Sequence, residues 1–594
     1  MEGDRVTIYY VGHSTLSLVE TKEGSIHYHF GGSEWVLPLD ERIELNGRES
    51  FSLKVEDAIE LIQTFVKTLV EKEMPVLHHD LERSYKEFMA TDVQPIYGVD
   101  VVGPDPEGNF HLMINHNGLA DSVQSYRFIK DLNRMLGEIT FDNGCGARFT
   151  VERDEENDIY HSQMSLPELY FRPGGLLRSH QKWKGLEEFG PFTGARTEKN
   201  RYRILVLCPR PLQSSMAHYM GGLKHGLEGE HQGGEYPWPK GWDRYFNFGG
   251  WDYEFLVIAS LEDEKAKAQL EVVLDQAKGK FDLSFLACRH GSGSGSAWGV
   301  KATLLSWNIP YEEVGLEPGI SGLKRAYRIR ETALRAYTKM GGRPWLLPPR
   351  EMLGQEVVVG VGSSELTAGT YGFSVLFTRD GLFRMGKSSK YPSRGAWEND
   401  LGKLIVRQIQ TLAVEDNWQA RELVSLVFHL DDSLLWQDKD VIEAMLMAEF
   451  GGQYNLSIVF LRIGYRHEFR MWNLAGQGGW YGRPNYQVPP GVAFQLDDER
   501  FLVQMGSSKG QGKASTPLLI ERAPDNGTVD LENLSWEVFR FSNLSYRDYD
   551  EGLLPVTLEY GNRLTTALDH FYQAGLGEKV SRALSQYTLT TWFL

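Results

Sequence analysis

Cysteine is scarce in this chain of 594 residues: Cys145, Cys208 and Cys288 are the three, and none forms a C-x-x-C pair. Neither a disulfide framework nor a zinc knuckle is expected from them. Basic excess is lacking too. The 62 Lys and Arg stand against 80 Asp and Glu, a net charge of −18, which argues against a protein coated in basic surface but not against a local basic channel. Long apolar runs are missing: none approaches the about 20 residues that span a bilayer. The start, "MEGDRVTIYY", has no basic segment followed by an apolar one, so no secretory signal is read there. The expectation is a cytoplasmic protein without membrane insertion. Internal repeats are absent as well.

What is present is globular. Hydrophobic residues make up 41% and charged residues 24%, enough to bury large cores, and the length suggests about three to four domains. Residues 1–150 mix alternating strands ("RVTIYYVG", "SIHYHFGG") with a helix at "KVEDAIELIQTFVKTLVEKE", whose apolar positions Ala58, Ile59, Ile62, Phe65, Val66 and Leu69 recur at helical spacing. An acidic boundary, "ERDEENDIYHSQ", and a Gly/Pro-punctuated connector fill 151–200. From Tyr202 the pattern becomes strand–helix alternation ("YRILVLC", "YEFLVIAS", "FDLSFLACR"), the order of a parallel α/β domain over 201–345. A second α/β unit occupies 346–594, with core strands "VVVGVG", "YGFSVLF", "LVSLVFHL" and "LSIVFLRI".

Three constellations are candidates for chemistry. "RHGSGSGSAWGVK" crosses from strand to helix through small residues, a turn that leaves backbone N–H groups for an anion. It is no nucleotide P-loop, because the Gly-Lys-Ser/Thr ending is missing. The next helical segment, Gly322 to Arg343, holds seven Lys or Arg and one acid, Glu331. At 100° per residue Lys324, Arg328, Arg335 and Lys339 fall within about 60° of one another. Such a run is ordinarily a solvated face; next to the Gly/Ser turn it points to phosphate. The second constellation is acidic: Glu365, Asp380, Glu398, Asp400, Asp431, Asp432, Asp548 and Asp550. Two-metal hydrolysis needs carboxylates converging on ions about 4 Å apart, yet most of these acids are expected at strand ends or in loops, the placement of ordinary surface charge. The third is histidine. His27 and His29 on one strand, and His78 and His79 beside Asp80, lack companions at metal-ligand spacing.

From Leu166 to Leu594 the chain resembles a prokaryotic Argonaute of the short or truncated kind, in linker–MID–PIWI order and without an evident PAZ domain. "LYFRPGG…GLEEFGPFTG" is similar to the linker, and "WGVKATLLSWNIPYEEV" and "LRAYTKMGGRPWLL" to two MID segments. "VVVGVGSS", "VFLRIGYRHEF" and "LPVTLEYGNRLTTALDHFY" are similar to the first strand, a later strand and the last helix of PIWI. The fold so implied is multidomain α/β: a Rossmann-like MID, an RNase H-like PIWI and an α+β N-terminal lobe that lines a channel or docks a partner.

The resemblance also assigns residues. Gly362, Ile463 and Asn562 match positions that hold catalytic acids (or His at the last), and Glu398 matches a mobile glutamate. It therefore implies no catalytic metal and no cutting. Trp298, Lys301, Glu312, Arg335 and Lys339 match the pocket for a guide 5′-phosphate, with Glu312 in place of the usual Gln. That replacement leaves two guide chemistries open: a 5′-hydroxyl, or a 5′-phosphate bridged by Mg2+ that the C-terminal carboxylate of Leu594 helps to hold. The partners implied are a guide strand, expected as RNA, and a complementary target, expected as DNA, from a plasmid or phage, although the residues do not separate RNA from DNA. An associated effector protein is implied as the output in prokaryotic immunity. Two other readings fit the same residues: an active nuclease using the displaced acids Glu365, Glu398 or Asp548, and a nucleotide-binding α/β enzyme built on the Gly/Ser turn.

Overall fold

The computed structural model describes residues 162–594 apart from short connecting segments, the longest being 474–487 and 507–515, and within residues 1–161 the backbone of individual strands only. The helix read at residues 54–73 and the Gly/Ser turn at 290–296 lie outside the described residues, as do His78 and His79. The chain forms two compact units. The first comprises Met1–Ser162, Arg466–Phe494 and Ser507–Pro517. Its described strands include an antiparallel sheet that joins Ser14–Leu16 to Phe110–Ile114 and Arg148–Val151, and a three-stranded one whose middle strand, Ser25–Phe30, carries His27 and His29. The segments 466–494 and 507–517, read from sequence as part of the last domain, cluster with this N-terminal unit instead.

The second unit contains both α/β layers. In the first layer, β1 (Arg201–Pro209), β2 (Gly250–Ile258), β3 (Leu283–Arg289) and β4 (Tyr311–Leu316) form a parallel sheet in the order β2-β1-β3-β4. The continuous apolar run Ile204, Leu205, Val206 and Leu207 is what a strand covered on both faces requires, and all four are buried. The connecting helices are α1 (Gln213–His225), α2 (Glu264–Gln276) and α3 (Trp298–Ser306); α4 (Gly322–Lys339) follows β4. Ala326, Ile329, Ala333, Ala336 and Tyr337 form the buried stripe of α4. This is the expected Rossmann-like arrangement.

The second layer starts with an antiparallel meander, β5 (Val357–Leu366), β6 (Gly369–Thr378) and β7 (Phe383–Tyr391). Helix α5 (Arg394–Glu415) leads to β8 (Val424–Asp431), which pairs parallel to β5; α6 (Trp436–Phe450) leads to β9 (Leu456–Gly464), parallel to β8. Numbered by appearance the order is 3-2-1-4-5, that of an RNase H-like sheet. Strands β10 (Arg500–Val503) and β11 (Leu518–Arg522) extend it antiparallel beyond β9. Helices α7 (Leu531–Ser542), α8 (Val556–Gln573) and α9 (Gly577–Ala583) close the chain. Helix α8 lies directly on β5: a Cβ at Gly360 would stand 2.1 Å from the Thr557 carbonyl oxygen, so only glycine permits this approach. No helix among the described residues is long and apolar enough to cross a membrane.

Candidate functional site

The basic stripe of α4 divides. Arg335 and Lys339, one turn apart near its C-terminal end, reach the start of β4 and meet Glu312 there. Arg335 Nε donates to Glu312 Oε1 and Lys339 Nζ to Glu312 Oε2, both at 2.7 Å. Lys339 also donates to the Tyr311 carbonyl at 2.9 Å. Lys301, on α3, pairs with Glu313 and stands 3.9 Å from the Trp298 ring centroid. Lys301 and Lys339 each lie 5.7 Å from the Tyr311 ring centroid, so the phenol ring links the two ammonium groups. The cluster is buried: Lys301 is 1% exposed, Glu312 3% and Lys339 4%.

Burial pushes the Glu312 carboxyl up, but Arg335 and Lys339 outweigh it and hold the group below its usual range. Burial lowers the Lys301 ammonium, and Glu313 offsets only part of that shift. Arg328, from the other half of the stripe, pairs with Glu317 at 2.7 Å and lines a cavity of about 130 Å3 with Arg325 and His218. Lys324 is exposed. Periodicity placed four cations on one face; only two converge.

Trp298 is half-buried and in use. Besides Lys301, its ring meets His570 and Phe571 of α8, with centroids 4.9 and 5.0 Å away. It thereby ties α3 to the last long helix. Leu594 donates its backbone N–H to the Thr591 carbonyl at 3.1 Å, and the neighbouring Trp592 is 3% exposed.

At the other candidate centre an aromatic ring stands where carboxylates were weighed. Gly362 on β5 pairs in register with Phe373 on β6. A Cβ at Gly362 would lie 2.5 Å from Phe373 Cζ and 2.8 Å from Asp431 Cβ. From the opposite side, a Cβ at Gly561 of α8 would lie 2.0 Å from Phe373 Cδ2. The ring is thus held between two glycines and is fully buried. Ile463 on β9 is also fully buried, between Asp431 of β8 and Ile520 of β11. Asn562, next to Gly561, accepts from Ser364 Oγ at 3.5 Å. Glu398 lies in the first turns of α5, and its side chain is outside the described residues.

The likeness read from the motifs recurs in whole-chain similarity to known proteins. A protein argonaute from Cereibacter sphaeroides is 22% identical over 442 residues, covering 68% of this chain and 55% of the relative. A Clostridium butyricum Argonaute, solved with a guide DNA and a 19-mer target DNA, superposes with a TM-score of 0.55 at 14% identity, covering 82% of this chain and 66% of that one. For an A. aeolicus Argonaute the TM-score is 0.53 at 15% identity, covering 96% and 72%. No family model matches the sequence. In sequence and in fold the chain is similar to Argonautes. It spans little more than half the length of the curated relative just described.

The Glu312 cluster lies in the first, MID-like layer and the Phe373 ring in the second, PIWI-like layer. Among the described residues, the acids weighed from sequence do not gather at that ring as a set. Asp431 is beside it, but its Oδ1 accepts from the Ser433 N–H at 3.0 Å; Asp432 Oδ2 accepts from the Tyr465 N–H at 3.0 Å. The first closes a turn after β8, and the second ties the end of β8 to the end of β9. Asp380 accepts from Thr378 within the β6–β7 turn, Glu365 is exposed, and Asp400 pairs with Lys403 at 3.5 Å. Asp548 and Asp550 act on the MID helix: burial raises the Glu331 carboxyl, Arg335 and Arg330 oppose the shift, and these two acids add to it. Among the described residues no group of three His, Cys, Asp or Glu is placed to hold a metal. Sequence reasoning missed Phe373 as a site residue. Its signal was the pair of glycines, one on a strand and one on a helix, that such a ring needs.

Proposed function

We propose that the protein binds nucleic acid under the direction of a guide strand, and holds the complementary target without cutting it. The observation that carries this reading is the Phe373 ring packed between Gly362 and Gly561. Gly and Ile at 362 and 463 offer no side-chain oxygen, and no carboxylate, to a hard cation. Without ions, in-line attack on a phosphodiester loses its main electrostatic support. The side chains at Gly362, Ile463 and Asn562, with a single amide among them, do not fit a metal pair. The C. butyricum relative, solved with guide and target DNA, supports a guide and a target as the ligands here. RNA as guide and DNA as target belong to the same proposal.

The residues at the MID cluster do not suit the Mg2+ expected at a guide 5′-phosphate, because both oxygens of Glu312 are engaged by Arg335 and Lys339. Binding measured with and without Mg2+ tests this. A binder that does not cut acts by favouring one protein conformation over another, and a partner must read the difference. The output is therefore assigned to an associated effector protein, in cytoplasmic defence against plasmids or phage. The deciding experiment loads the protein with a matched guide and supplies Mg2+ or Mn2+. Target should be retained and stay intact. Guide-dependent cleavage that disappears in Glu398→Ala would establish the nuclease reading instead.

A further inference from the structure

We propose that Glu312 sets the chemistry of the guide's 5′ end, by occupying the place of a 5′-phosphate so that the pocket takes strands ending in a 5′-hydroxyl. This rests on the guide-binding reading above. Lys301, Arg335 and Lys339 bring three positive charges, and Glu312 and Glu313 return two negative ones within direct contact. A phosphate monoester carries about −1.5 to −2 near neutral pH. To take Arg335 and Lys339 it must displace Glu312 from both. That carboxylate is 3% exposed on β4, so displacement leaves it buried without its two partners. Breaking a buried pair leaves an uncompensated buried charge, the costly outcome.

A 5′-hydroxyl makes no such demand. It is neutral, donates one hydrogen bond and accepts others. It can donate to a carboxylate of the cluster and accept from Arg335, whose side chain keeps 23% exposure, while the ion pairs stay intact. Arg335 Nη1 also donates to the Arg547 carbonyl at 3.3 Å and Nη2 to Thr332 Oγ1 at 3.5 Å; the second hydrogen of each amino group remains for a backbone phosphodiester, a monoanion that does not have to enter the cluster. The same geometry explains why the cluster is more acidic than a phosphate pocket needs. Gln at 312 would satisfy Arg335 or Lys339 by hydrogen bonding without neutralising either.

The test is equilibrium binding of the full chain to single strands, RNA and DNA, that differ only in a 5′-hydroxyl or 5′-phosphate, with and without Mg2+. The wild type is expected to hold the hydroxyl strand at least about 10-fold more tightly, a difference of about 1.4 kcal/mol. Glu312→Gln should raise affinity for the phosphate strand about 10-fold or more and change the hydroxyl strand little. Should Glu312→Gln fail to fold, judged by circular dichroism, Glu313→Gln decides: it releases Lys301 from a half-exposed partner and should raise phosphate binding several-fold. Equal affinities, or a wild-type preference for phosphate that these variants leave unchanged, overturn the proposal while guide binding stands. A phosphate preference that appears only with Mg2+ also overturns it, in favour of a bridging ion. Failure to bind either strand overturns the guide-binding reading, and this proposal with it.

Discussion

Restoring the missing acid, Gly362→Asp, should damage the fold and bring no cutting. The Cβ alone would stand 2.5 Å from Phe373 Cζ, 2.7 Å from Cε1 and 2.8 Å from Asp431 Cβ, distances that force something to move. The ring cannot retreat toward α8, because Gly561 already touches it there. Overpacking of this kind costs about 1–3 kcal/mol. A carboxylate placed against the ring and beside Asp431 adds about 1–3 kcal/mol for a buried polar group without a partner. Gly362→Ala isolates the first contribution, so the two variants separate packing from charge. Urea denaturation reads both as a fall in the midpoint of the transition that reports the PIWI layer. Phe373→Ala in the Gly362→Asp background removes the clash, and the double variant should be more stable than the sum of the single effects by at least about 1 kcal/mol. A Gly362→Asp protein with wild-type stability, or one that cleaves target in Mn2+, would refute the reasoning: the site would then have room for an acid.

Other outcomes follow from the same contacts. Lys301→Ala with Lys339→Ala should weaken guide binding by at least about 2–3 kcal/mol, roughly 30- to 150-fold, because Glu312 and Glu313 lose the cations that neutralise them beside the strand. The pair should also unfold at lower denaturant, because Glu312 and Glu313 lose partners, so stability and affinity are measured together. Glu331→Gln should stabilise the protein near neutral pH. Its folded carboxyl is raised above the ordinary 4.5, so the charge costs stability above the folded value and nothing once both states are protonated; a gain that persists unchanged below pH 4 would contradict this. Expressed with its neighbouring genes, the tagged protein should carry a partner whose activity appears only with matched target. Full protection by this gene alone, with no partner recovered, would contradict the relay.

The sequence determined much of the framework by itself. Runs such as Ile204 to Leu207 have no polar face, so they belong in a sheet covered on both sides. The alternation of Phe373, Val375 and Phe377 after a small-residue turn makes a strand partner for "VVVGVG". Helical spacing was enough to put Arg335 and Lys339 on one side of α4. Motif order was enough to raise the Argonaute likeness, which the fold supports.

The tertiary structure decided what each of those faces meets. Alternation says that Phe373 points to a core; that it closes over Gly362 depends on the antiparallel register, and on a helix arriving almost 200 residues later with Gly561 in the right place. Spacing says that Arg335 and Lys339 share a side; it cannot say that Glu312 on a neighbouring strand takes both, leaving Arg328 to Glu317. Asp548, weighed as a catalytic acid, proved to be a neighbour of Glu331 on the MID helix. The physical reason is the same throughout. Period and composition are properties of a short stretch of chain, fixed by local geometry, whereas charge neutralisation and close packing depend on distances between stretches that only the folded chain brings together.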